Sequence, residues 1–462
     1  MFGRTGRAIR AQVSAAGNCD GLFFSEHLSP QSVRSACEKL QHEFRERVFS
    51  PAVTLWVFLT QVLSSDHSCR EAVAKLNFWR MARNLKPCSP ETGSYCESRQ
   101  RLPEQLFLEL VRTTGRELAE QADHAWRWLG RDVKVVDGST ITMADTEANQ
   151  QQYPQGRTQK PGVGFPIARI VVIFSLAVGA VIDAAIGPYK GKQTGENNLF
   201  RRLLGSFLPG EVALADSYYA SFWDFALLRE RHVDLFARAH HLRKIDFRRG
   251  MKLGRYDHVI AYHKPIERPT WMDRRVYQRL PDSLQIRHLR YWVDQPGFRT
   301  PAITLATTLV NADLYPADEL ANLYRRRWQA ELHLRSLKTH MQMEHLRCKR
   351  PDMVRKEFYA HLLAYNLIRG VMLEAALAAG VAPHQLSFKG AMQSLNAFLG
   401  TVIADSRNAR GLYAALLWMI GAHRVANRPD RIEPRLLKRR SKPHKLLQET
   451  RIAARRRLMK SR

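Results

Sequence analysis

Cysteine is scarce in this chain, and its cysteines follow no recognisable pattern. The 462 residues contain six of them, with no Cys-x-x-Cys pair and no zinc-ligand spacing. They are Cys19, Cys37, Cys69, Cys88, Cys96 and Cys348. The 17 histidines likewise form no His-Glu-x-x-His motif or other paired-ligand pattern. These absences argue against a disulfide scaffold and a zinc site, and they predict reduced thiols in a cytosolic protein.

Long hydrophobic runs are also missing. The longest apolar stretch, from Ile170 to Ile182, is too short to span a bilayer and predicts sheet instead. The first residues include scattered arginines but no continuous apolar segment or cleavage site typical of a secretory signal. We therefore expect neither a membrane partner nor secretion.

Acidic residues are few relative to basic ones. Asp and Glu number 43 against 72 Lys and Arg, which gives a formal charge of +29 and a pI near 10.3. Such an excess is typical of proteins that bind nucleic acid, although ribosomal and membrane-surface proteins also show it. Because 45% of the residues are hydrophobic and the length exceeds what one core usually supports, we expect several folded domains.

One basic segment, residues 324–338, carries the most functional information. On a helix that turns about 100° per residue, Tyr324, Arg327, Glu331 and Lys338 fall within an arc of about 60°. A carboxylate between two cations suits a site that holds a metal ion beside the phosphates of a polyanion. The alternative is a solvated basic helix with one compensating acid.

Two aspartates upstream follow apolar runs that predict strands. Residues 133–136 are rich in valine and lead into Asp137 and Gly138, and residues 210–215 lead into Asp216. We expect each strand to end at its aspartate and to present it at the rim of a sheet, a usual place for catalytic groups in α/β folds. The alternative for each is a turn residue.

The spacing Tyr-x2-Arg-x3-Glu-x6-Lys of the basic segment resembles the signature of DDE transposases of the insertion-sequence 4 family. The resemblance implies a ribonuclease-H-like core in which Asp137, Asp216 and Glu331 are catalytic and bind two Mg²⁺ ions, with Mn²⁺ able to replace Mg²⁺. It also implies double-stranded DNA partners, namely terminal inverted repeats and target DNA, and a location at the nucleoid of the bacterial cytoplasm. We expect a homodimer in the DNA complex, with phosphates bound by Tyr324, Arg327 and Lys338.

The chain between the two aspartates and beyond fits this order of elements. Residues 169–187 predict a hairpin broken at Gly179, residues 196–208 a helix, 222–230 a second helix and 233–239 a strand. Asp183 is the competing strand carboxylate, but its position inside the hairpin predicts a structural role.

Residues 241–316 change to short, aromatic segments punctuated by prolines, which predicts a mainly β insertion. The predicted short segments are 256–262, 274–280, 284–293 and 302–310. Trp271 and Trp292 lie inside the insertion, and we expect at least one of them to pack it. The alternative is stacking on a base turned out of the duplex. His241 and Arg243 are candidate phosphate ligands just after a core strand.

Helical patterns occupy both ends of the chain. The N-terminal helices are predicted at 33–49, 52–63, 70–85 and 104–128, the last starting after Pro103. Residues 358–377 are apolar nearly all round and predict a buried helix, followed by helices at 388–399 and 412–420. Residues 431–462 contain 13 Lys or Arg against 2 Glu and predict non-specific phosphate binding.

The predicted fold class is α/β: a ribonuclease-H-like catalytic core with a mainly β insertion, a helical N-terminal domain and a helical, basic C-terminal region. The predicted domains are a DNA-binding region (1–128), the first part of the core (129–240), the insertion (241–316), the second part of the core (317–385), C-terminal helices (386–430) and a basic tail (431–462).

Two other functions stay open at this point. A DNA-binding protein derived from a transposase but without catalytic activity would require the loss of an acid, and none of the three is missing. A tyrosine recombinase could use Tyr324 as its nucleophile. Residues 240–243 give one His-x-x-Arg tetrad for such an enzyme, but the three acids would then have no role.

Overall fold

The computed structural model describes residues 27–44, 47–157, 160–293, 302–404, 409–425 and 448–460. It is a mixed α/β structure in which one large sheet is covered by helices, as the composition and patterning predicted. The domain boundaries given above stay predictions.

Five helices precede the sheet in the described chain. They are α1 (Pro30–Lys39), α2 (Pro51–Leu63), α3 (Cys69–Met81), α4 (Gly93–Arg101) and α5 (Glu104–Glu120). Ser29, Ser50 and Ser68 cap the first three, because each hydroxyl accepts a hydrogen bond from a free N–H of the first turn. The first predicted helix is shorter than expected and ends at Lys39, and α4 was not predicted.

The next part of the chain builds the centre of the sheet. Its elements are β1 (Val133–Met143), α6 (Glu147–Gln152), β2 (Ile167–Ser175), β3 (Val181–Pro188), α7 (Glu196–Arg201), β4 (Val212–Ala215), α8 (Phe222–Arg229) and β5 (Asp234–Arg238). The predicted hairpin is present as β2 and β3, with Gly179 at φ +72° in its turn. The helix predicted at 196–208 is shorter, and a 3₁₀ turn at Leu204–Ser206 follows it.

Strand β1 does not end at Asp137, so that expectation was wrong. The strand continues to Met143 because its second half still pairs with β2, Gly138 opposite Val171 and Thr142 opposite Ile167. The parallel partner on its other side, β4, stops at Ala215. Asp137 therefore lies where β1 loses one neighbour, which opens one side of the strand without ending it.

The insertion extends the same sheet through four more strands. The elements are β6 (Met251–Gly254), β7 (Asp257–His263), α9 (Arg274–Arg279), β8 (Ser283–Trp292) and β9 (Ala302–Thr307). The strand order is β3-β2-β1-β4-β5-β9-β8-β7-β6, with β9 antiparallel to β5. Segment 274–280, predicted with the β segments, is a helix that begins at an Asp273 cap. Residues 294–301 lie outside the described residues.

The predicted helix at 324–338 is not continuous. The chain forms α10 (Ala317–Arg326), α11 (Trp328–Arg335) and a π-helical turn at Ser336–His340. At Arg327 the backbone tightens, since its N–H bonds to Tyr324 O and its carbonyl accepts from Ala330 N, each three residues apart. The helix is tighter at Arg327 and wider in the π-helical turn. Side chains on the two sides of these points therefore do not keep the angles that a uniform period of 3.6 residues per turn predicts.

A long helix fills one side of the sheet. After the short strand β10 (His345–Leu346), which pairs in parallel with β1, comes α12 (Pro351–Ala379). It is long and apolar enough to cross a membrane by length and composition, but 78% of its apolar window is buried. This burial makes it the core helix that the sequence predicted. Within it, Asn366 donates to Val181 O and accepts from Val181 N, which ties the helix to β3.

The C-terminal helices are α13 (Phe388–Ala404), α14 (Ala409–Ala422) and α15 (Arg451–Lys460). The first two match predicted helices, and α14 packs on α12. Most of the predicted basic tail, residues 431–447 and 461–462, lies outside the described residues.

Asp183 has the structural role that its position predicted. It is completely buried, and it accepts hydrogen bonds from the Arg112 guanidinium at 2.9 Å and from the Ser206 hydroxyl. These contacts join β3 to α5 and to the 3₁₀ turn after α7, so the carboxylate stabilises the packing of helices on the sheet.

Candidate active site

All three predicted acids line one open cleft of about 500 Å³ at the edge where β4 ends. The residues that line this acidic cleft are Asp137, Gly138, Ser139, Asp216, Arg327, Glu331, Leu334, Arg335, Lys338, Thr339 and Glu344. They come from β1, from the end of β4 and from α11 with its π-helical turn. Tertiary folding thus brings together side chains almost 200 residues apart in sequence.

The sheet register places the two aspartates side by side. Val133 pairs with Val212 and Val135 with Leu214, so the same parallel register sets Asp137 level with Asp216, just past the end of β4. Adjacent strands are about 4.8 Å apart, and residues at the same level point to the same face. The two carboxylates therefore project from neighbouring positions into the cleft.

Local hydrogen bonds fix the orientation of both aspartates. Asp216 Oδ1 accepts from the N–H of Tyr218 at 2.8 Å and thereby caps a 3₁₀ turn at Ser217–Tyr219. Asp137 Oδ1 accepts from the N–H of Gly138 at 3.0 Å. Each carboxylate keeps a second oxygen for another ligand.

Glu331 is held by an ion pair within its own helix segment. Arg327 Nη2 donates to Glu331 Oε1 at 2.7 Å, one turn away. Both side chains face the cleft, in agreement with the predicted common arc. The pair sets a cation directly beside the acids.

Lys338 also reaches the cleft, although the π-helical turn moved it from its predicted angle. Its Nζ donates to Ser139 Oγ on β1 at 3.2 Å and lies 3.8 Å from a carboxylate oxygen of Glu344. Arg327 and Lys338 thus provide two cations at the cleft, one bonded to Glu331 and the other to Ser139.

Asp137 is in an electrostatic environment that disfavours its charge. Its pKa is raised to about 6, mainly by burial. Arg327 and the Gly138 N–H lower the pKa, and the negative charges of Glu331 and Asp216 add to the rise. Closely spaced carboxylates repel one another when all are ionised, and a bound cation removes this repulsion. The cleft therefore carries unbalanced negative charge.

Tyr324 does not line the cleft. It is 8% exposed and packs its ring against Phe236 of β5, with centroids 5.9 Å apart. Burial raises the pKa of its hydroxyl to about 12, with Arg327 lowering it and Asp216 raising it. Tyr324 therefore lies behind Arg327 and near Asp216, and its contact with DNA stays a prediction.

The remaining predicted DNA ligands lie outside the acidic cleft. His241 and Arg243 are exposed after β5, with the Arg243 guanidinium 3.8 Å above the Tyr262 ring. Trp271 packs on the core beneath Arg201, as expected for at least one of the tryptophans. Trp292 is 51% exposed at the end of β8, in edge contact with Tyr256. Their roles in DNA binding stay predictions.

Sequence reasoning missed two residues beside the cleft, Glu196 of α7 and Tyr219. A Cβ placed on Gly138 would lie 2.7 Å from Glu196 Oε2, so the glutamate packs directly on the cleft backbone. The charges of Glu196, Asp216 and Asp137 all raise the pKa of Tyr219, after the larger effect of burial. The glycine that follows Asp137 was the available signal, because glycine permits close approach of another group.

The donor set fits a divalent cation. Carboxylate oxygens are the ligands that Mg²⁺ prefers, and four carboxylates line the cleft, those of the three predicted acids and that of Glu344. Within the described ranges, no group of three or more His, Cys, Asp or Glu side chains is already arranged to hold a metal ion. The Arg327 ion pair gives a physical reason, since it engages one oxygen of Glu331.

Comparisons with known proteins identify a family for this chain. Residues 128–367, slightly more than half of the chain, match the family model described as a transposase DDE domain. The transposase InsG of insertion sequence element IS4 from Escherichia coli is 26% identical over 428 residues, covering 90% of this chain and 91% of InsG. The transposase of insertion sequence element IS421 from Escherichia coli is 37% identical over 68 residues, 15% of this chain and 18% of that protein.

Among solved structures, a piggyBac transposase synaptic complex with hairpin DNA aligns with this chain. The alignment covers 86% of this chain and 84% of that chain, at 10% sequence identity and a TM-score of 0.43.

Proposed function

Because this chain belongs to the DDE transposases of the insertion-sequence 4 family, which are metal-dependent DNA transposases, we propose that it acts on the ends of an insertion sequence. It would bind the terminal inverted repeats and catalyse strand cleavage and strand transfer. The observation that carries this proposal is the convergence of Asp137, Asp216 and Glu331 on one cleft flanked by Arg327 and Lys338.

We infer that β1 to β5 form a ribonuclease-H-like core. Its support is the sheet order β3-β2-β1-β4-β5, with β1 antiparallel to β2 and parallel to β4. The first acid lies on β1, the second follows β4, and the third arrives on a helix after the insertion. This order matches the requirement of that core for acids from three separate elements.

Asp137, Asp216 and Glu331 would hold two Mg²⁺ ions, with Mn²⁺ able to replace them. Such ions activate a water and stabilise the leaving oxygen of an in-line phosphoryl displacement. The acids themselves must be ionised to act as ligands, and the raised pKa of Asp137 makes its deprotonation part of metal binding.

Arg327 and Lys338 would bind the phosphate at the cut. Arg327 contacts Glu331, and Lys338 reaches the cleft beside Ser139 of β1. A phosphate placed there would compete with Glu331 for Arg327, since both are anions that guanidinium binds through charged hydrogen bonds. Binding of DNA would thereby free a Glu331 oxygen for the metal.

Surfaces outside the cleft would hold the rest of the DNA. His241, Arg243 and the buried Tyr324 are candidate phosphate ligands, and the exposed ring of Trp292 is a candidate base-stacking surface. Trp271, which packs beneath Arg201, is the weaker stacking candidate. We propose terminal repeats and target DNA as substrates, a homodimer as the assembly on DNA and the bacterial nucleoid as the place of action.

The test is cleavage of DNA that carries the element ends, which flanking genomic sequence would identify as matching inverted repeats. Asp137→Asn, Asp216→Asn and Glu331→Gln should each abolish Mg²⁺-dependent cleavage and leave binding of end DNA nearly unchanged. Glu147→Gln is the matched control, because it removes an exposed carboxylate outside the cleft.

Other outcomes would contradict the proposal in distinguishable ways. End binding by the wild-type chain without cleavage at any metal concentration would indicate a catalytically inactive DNA-binding derivative. Cleavage in EDTA with a covalent link between Tyr324 and DNA would indicate a tyrosine recombinase.

A further inference from the structure

Glu196, a carboxylate outside the lining of the acidic cleft, lies against it. An ideal Cβ on Gly138 would meet Glu196 Cδ at 2.6 Å and Oε2 at 2.7 Å. The carboxyl group therefore occupies the space that any side chain at position 138 would need. Gly138 follows Asp137 on β1, and successive strand residues point to opposite faces. Glu196 therefore approaches β1 from the face opposite the Asp137 side chain, at the level where the end of β4 leaves the edge of β1 open.

Helix α7 packs on the face of the sheet opposite to α11, because its Leu199 and Phe200 join the core around Val136, whereas Leu334 of α11 joins the core around Val135. Glu196 lies in the first turn of α7, and its carboxyl group is close enough to Asp216 for that charge to raise its pKa, after the larger effect of burial. The charge of Asp216 thus acts on Glu196, and the Glu196 carboxyl group contacts Gly138, the residue after Asp137.

The cation nearest to Glu196, Arg169, forms an ion pair with it but no hydrogen bond. Arg169 Nε is 3.9 Å from Glu196 Oε1, beyond hydrogen-bond distance. The Arg169 guanidinium instead donates to Thr194 O at 2.9 Å and covers the Tyr189 ring at 4.7 Å. Among the described residues, no hydrogen bond reaches either carboxylate oxygen of Glu196, so both remain available to a ligand.

A second, independent feature indicates a missing ligand at this place. The hydroxyl of Tyr219 is buried, and the described part of the chain offers it no hydrogen-bond partner. Its surroundings include Glu196, Asp216 and Asp137, whose charges all act on it. A buried hydroxyl without a partner is unfavourable, and an oxygen in the coordination shell of an ion would satisfy it.

We propose that Glu196 is a fourth carboxylate ligand of the divalent-metal site, and that the Tyr219 hydroxyl donates to an oxygen of the same coordination shell. The proposal rests on the proposed function, because the metal site is that of Asp137, Asp216 and Glu331. It adds a ligand from α7, an element for which no functional role was predicted.

Metal affinity distinguishes a ligand from a packing residue. Mn²⁺ would be titrated into the full-length protein, with and without end DNA, while the EPR signal of free Mn²⁺ is recorded. Glu196→Gln should raise the Mn²⁺ dissociation constant about tenfold or more. Glu147→Gln is closely matched, since Glu147 also lies in the first turn of a six-residue helix but outside the cleft, and it should leave the constant unchanged.

Two further variants test the role of Glu196 while keeping its charge. Gly138→Ala introduces a methyl group into the space of the Glu196 carboxyl and should weaken Mn²⁺ binding, since the flexible glutamate must move away. Tyr219→Phe should weaken it by a smaller factor. Melting temperatures of all variants show whether a lost affinity reflects unfolding.

The outcomes separate this inference from the proposed function. If Asp137→Asn weakens Mn²⁺ binding and Glu196→Gln behaves like Glu147→Gln, Glu196 is a packing residue and the inference is overturned while the proposed function stands. If the wild-type chain binds no Mn²⁺ with or without DNA, or if Asp137→Asn binds it as tightly as wild type, both fail. Weaker Mn²⁺ binding in both Asp137→Asn and Glu196→Gln supports the inference.

Discussion

Arg327 Nη2 lies 2.7 Å from Glu331 Oε1, so the last of the three acids is bound by a cation of its own helix segment. The interaction spans one turn, and only part of it is open to solvent, since the side chain of Arg327 is 18% exposed. A partly buried, charge-assisted bond of this kind is stronger than a surface ion pair. It holds Glu331 in the cleft before metal or DNA arrives.

Replacing Arg327 should therefore impair the reaction. Arg327→Ala removes a phosphate ligand and the partner that positions Glu331, and we expect a loss of about 1–3 kcal/mol, or roughly 5- to 150-fold in cleavage rate at the element end. Single-turnover cleavage at saturating protein measures the change.

Arg325 supplies the control for this prediction. It is exposed and contacts Asn322 at 3.4 Å, away from the acids. Arg326 is less suitable, because it is partly buried and burial lowers its pKa. If Arg325→Ala were as damaging as Arg327→Ala, residues 325–327 would be an undifferentiated basic patch.

Asp183 should prove necessary for stability and dispensable for chemistry. Asp183→Asn removes the charge of a fully buried carboxylate that pairs with Arg112, whose side chain is 34% exposed, and we expect a loss of about 2 kcal/mol in the free energy of unfolding. Urea unfolding measures this loss. Cleavage per folded molecule, assayed at low temperature, should stay near wild type, and its disappearance would place Asp183 among the catalytic acids.

Two buried histidines should make the protein sensitive to acid. Burial lowers the pKa of His288 and of His361 to about 3, with nearby positive groups contributing to the lowering. In the unfolded chain a histidine titrates near about 6.5. Below that pH the unfolded state binds protons that the folded state cannot, so stability decreases as the pH falls from about 6.5 towards 3, by up to about 1.4 kcal/mol per pH unit for each histidine.

His288→Gln tests this dependence. Urea unfolding between about pH 4 and 5.5 should show a slope of stability against pH that is smaller than that of wild type by about 1.4 kcal/mol per unit. His263→Gln alters an exposed histidine of the neighbouring strand β7 and should leave the slope unchanged. Equal slopes in all three proteins would mean that His288 takes up its proton in the folded state.

The basic tail should supply affinity without specificity. Residues 431–462 contain 13 Lys or Arg, and each phosphate contact that is lost on their deletion flattens the slope of log affinity against log salt by about 0.9. Filter binding at several salt concentrations, with end DNA and scrambled DNA, measures both quantities. An unchanged slope with a lost preference for end DNA would identify the tail as a specificity element.

Local patterns in the sequence were sufficient to locate much of the sheet and the acids. The hairpin β2–β3, strand β5 and the buried helix α12 follow from runs of apolar residues, because burial of such runs is decided over a few neighbouring positions. The order Asp137, Asp216, Glu331, together with the Tyr-Arg-Glu-Lys spacing, was enough to predict the family.

Tertiary contacts decided what those patterns left open. Strand β1 passes Asp137 because β2 continues to pair with it, and the segment at 324–338 tightens at Arg327 and widens after Arg335, which a uniform helical period cannot anticipate. The insertion joins the central sheet because β9 pairs with β5 across some 65 residues of chain. Such pairings depend on partners distant in sequence.

The sequence by itself determined which residues carry charge, which segments must be buried and in which order the acids occur. Only the folded chain decided that Glu196 packs on Gly138, that the buried Tyr219 hydroxyl meets no hydrogen-bond partner in the described residues, and that Tyr324 turns inward against Phe236. The physical reason is that periodicity specifies the face of an element. Which side chain packs against that face depends on how elements distant in sequence come together, and no local pattern of residues specifies this.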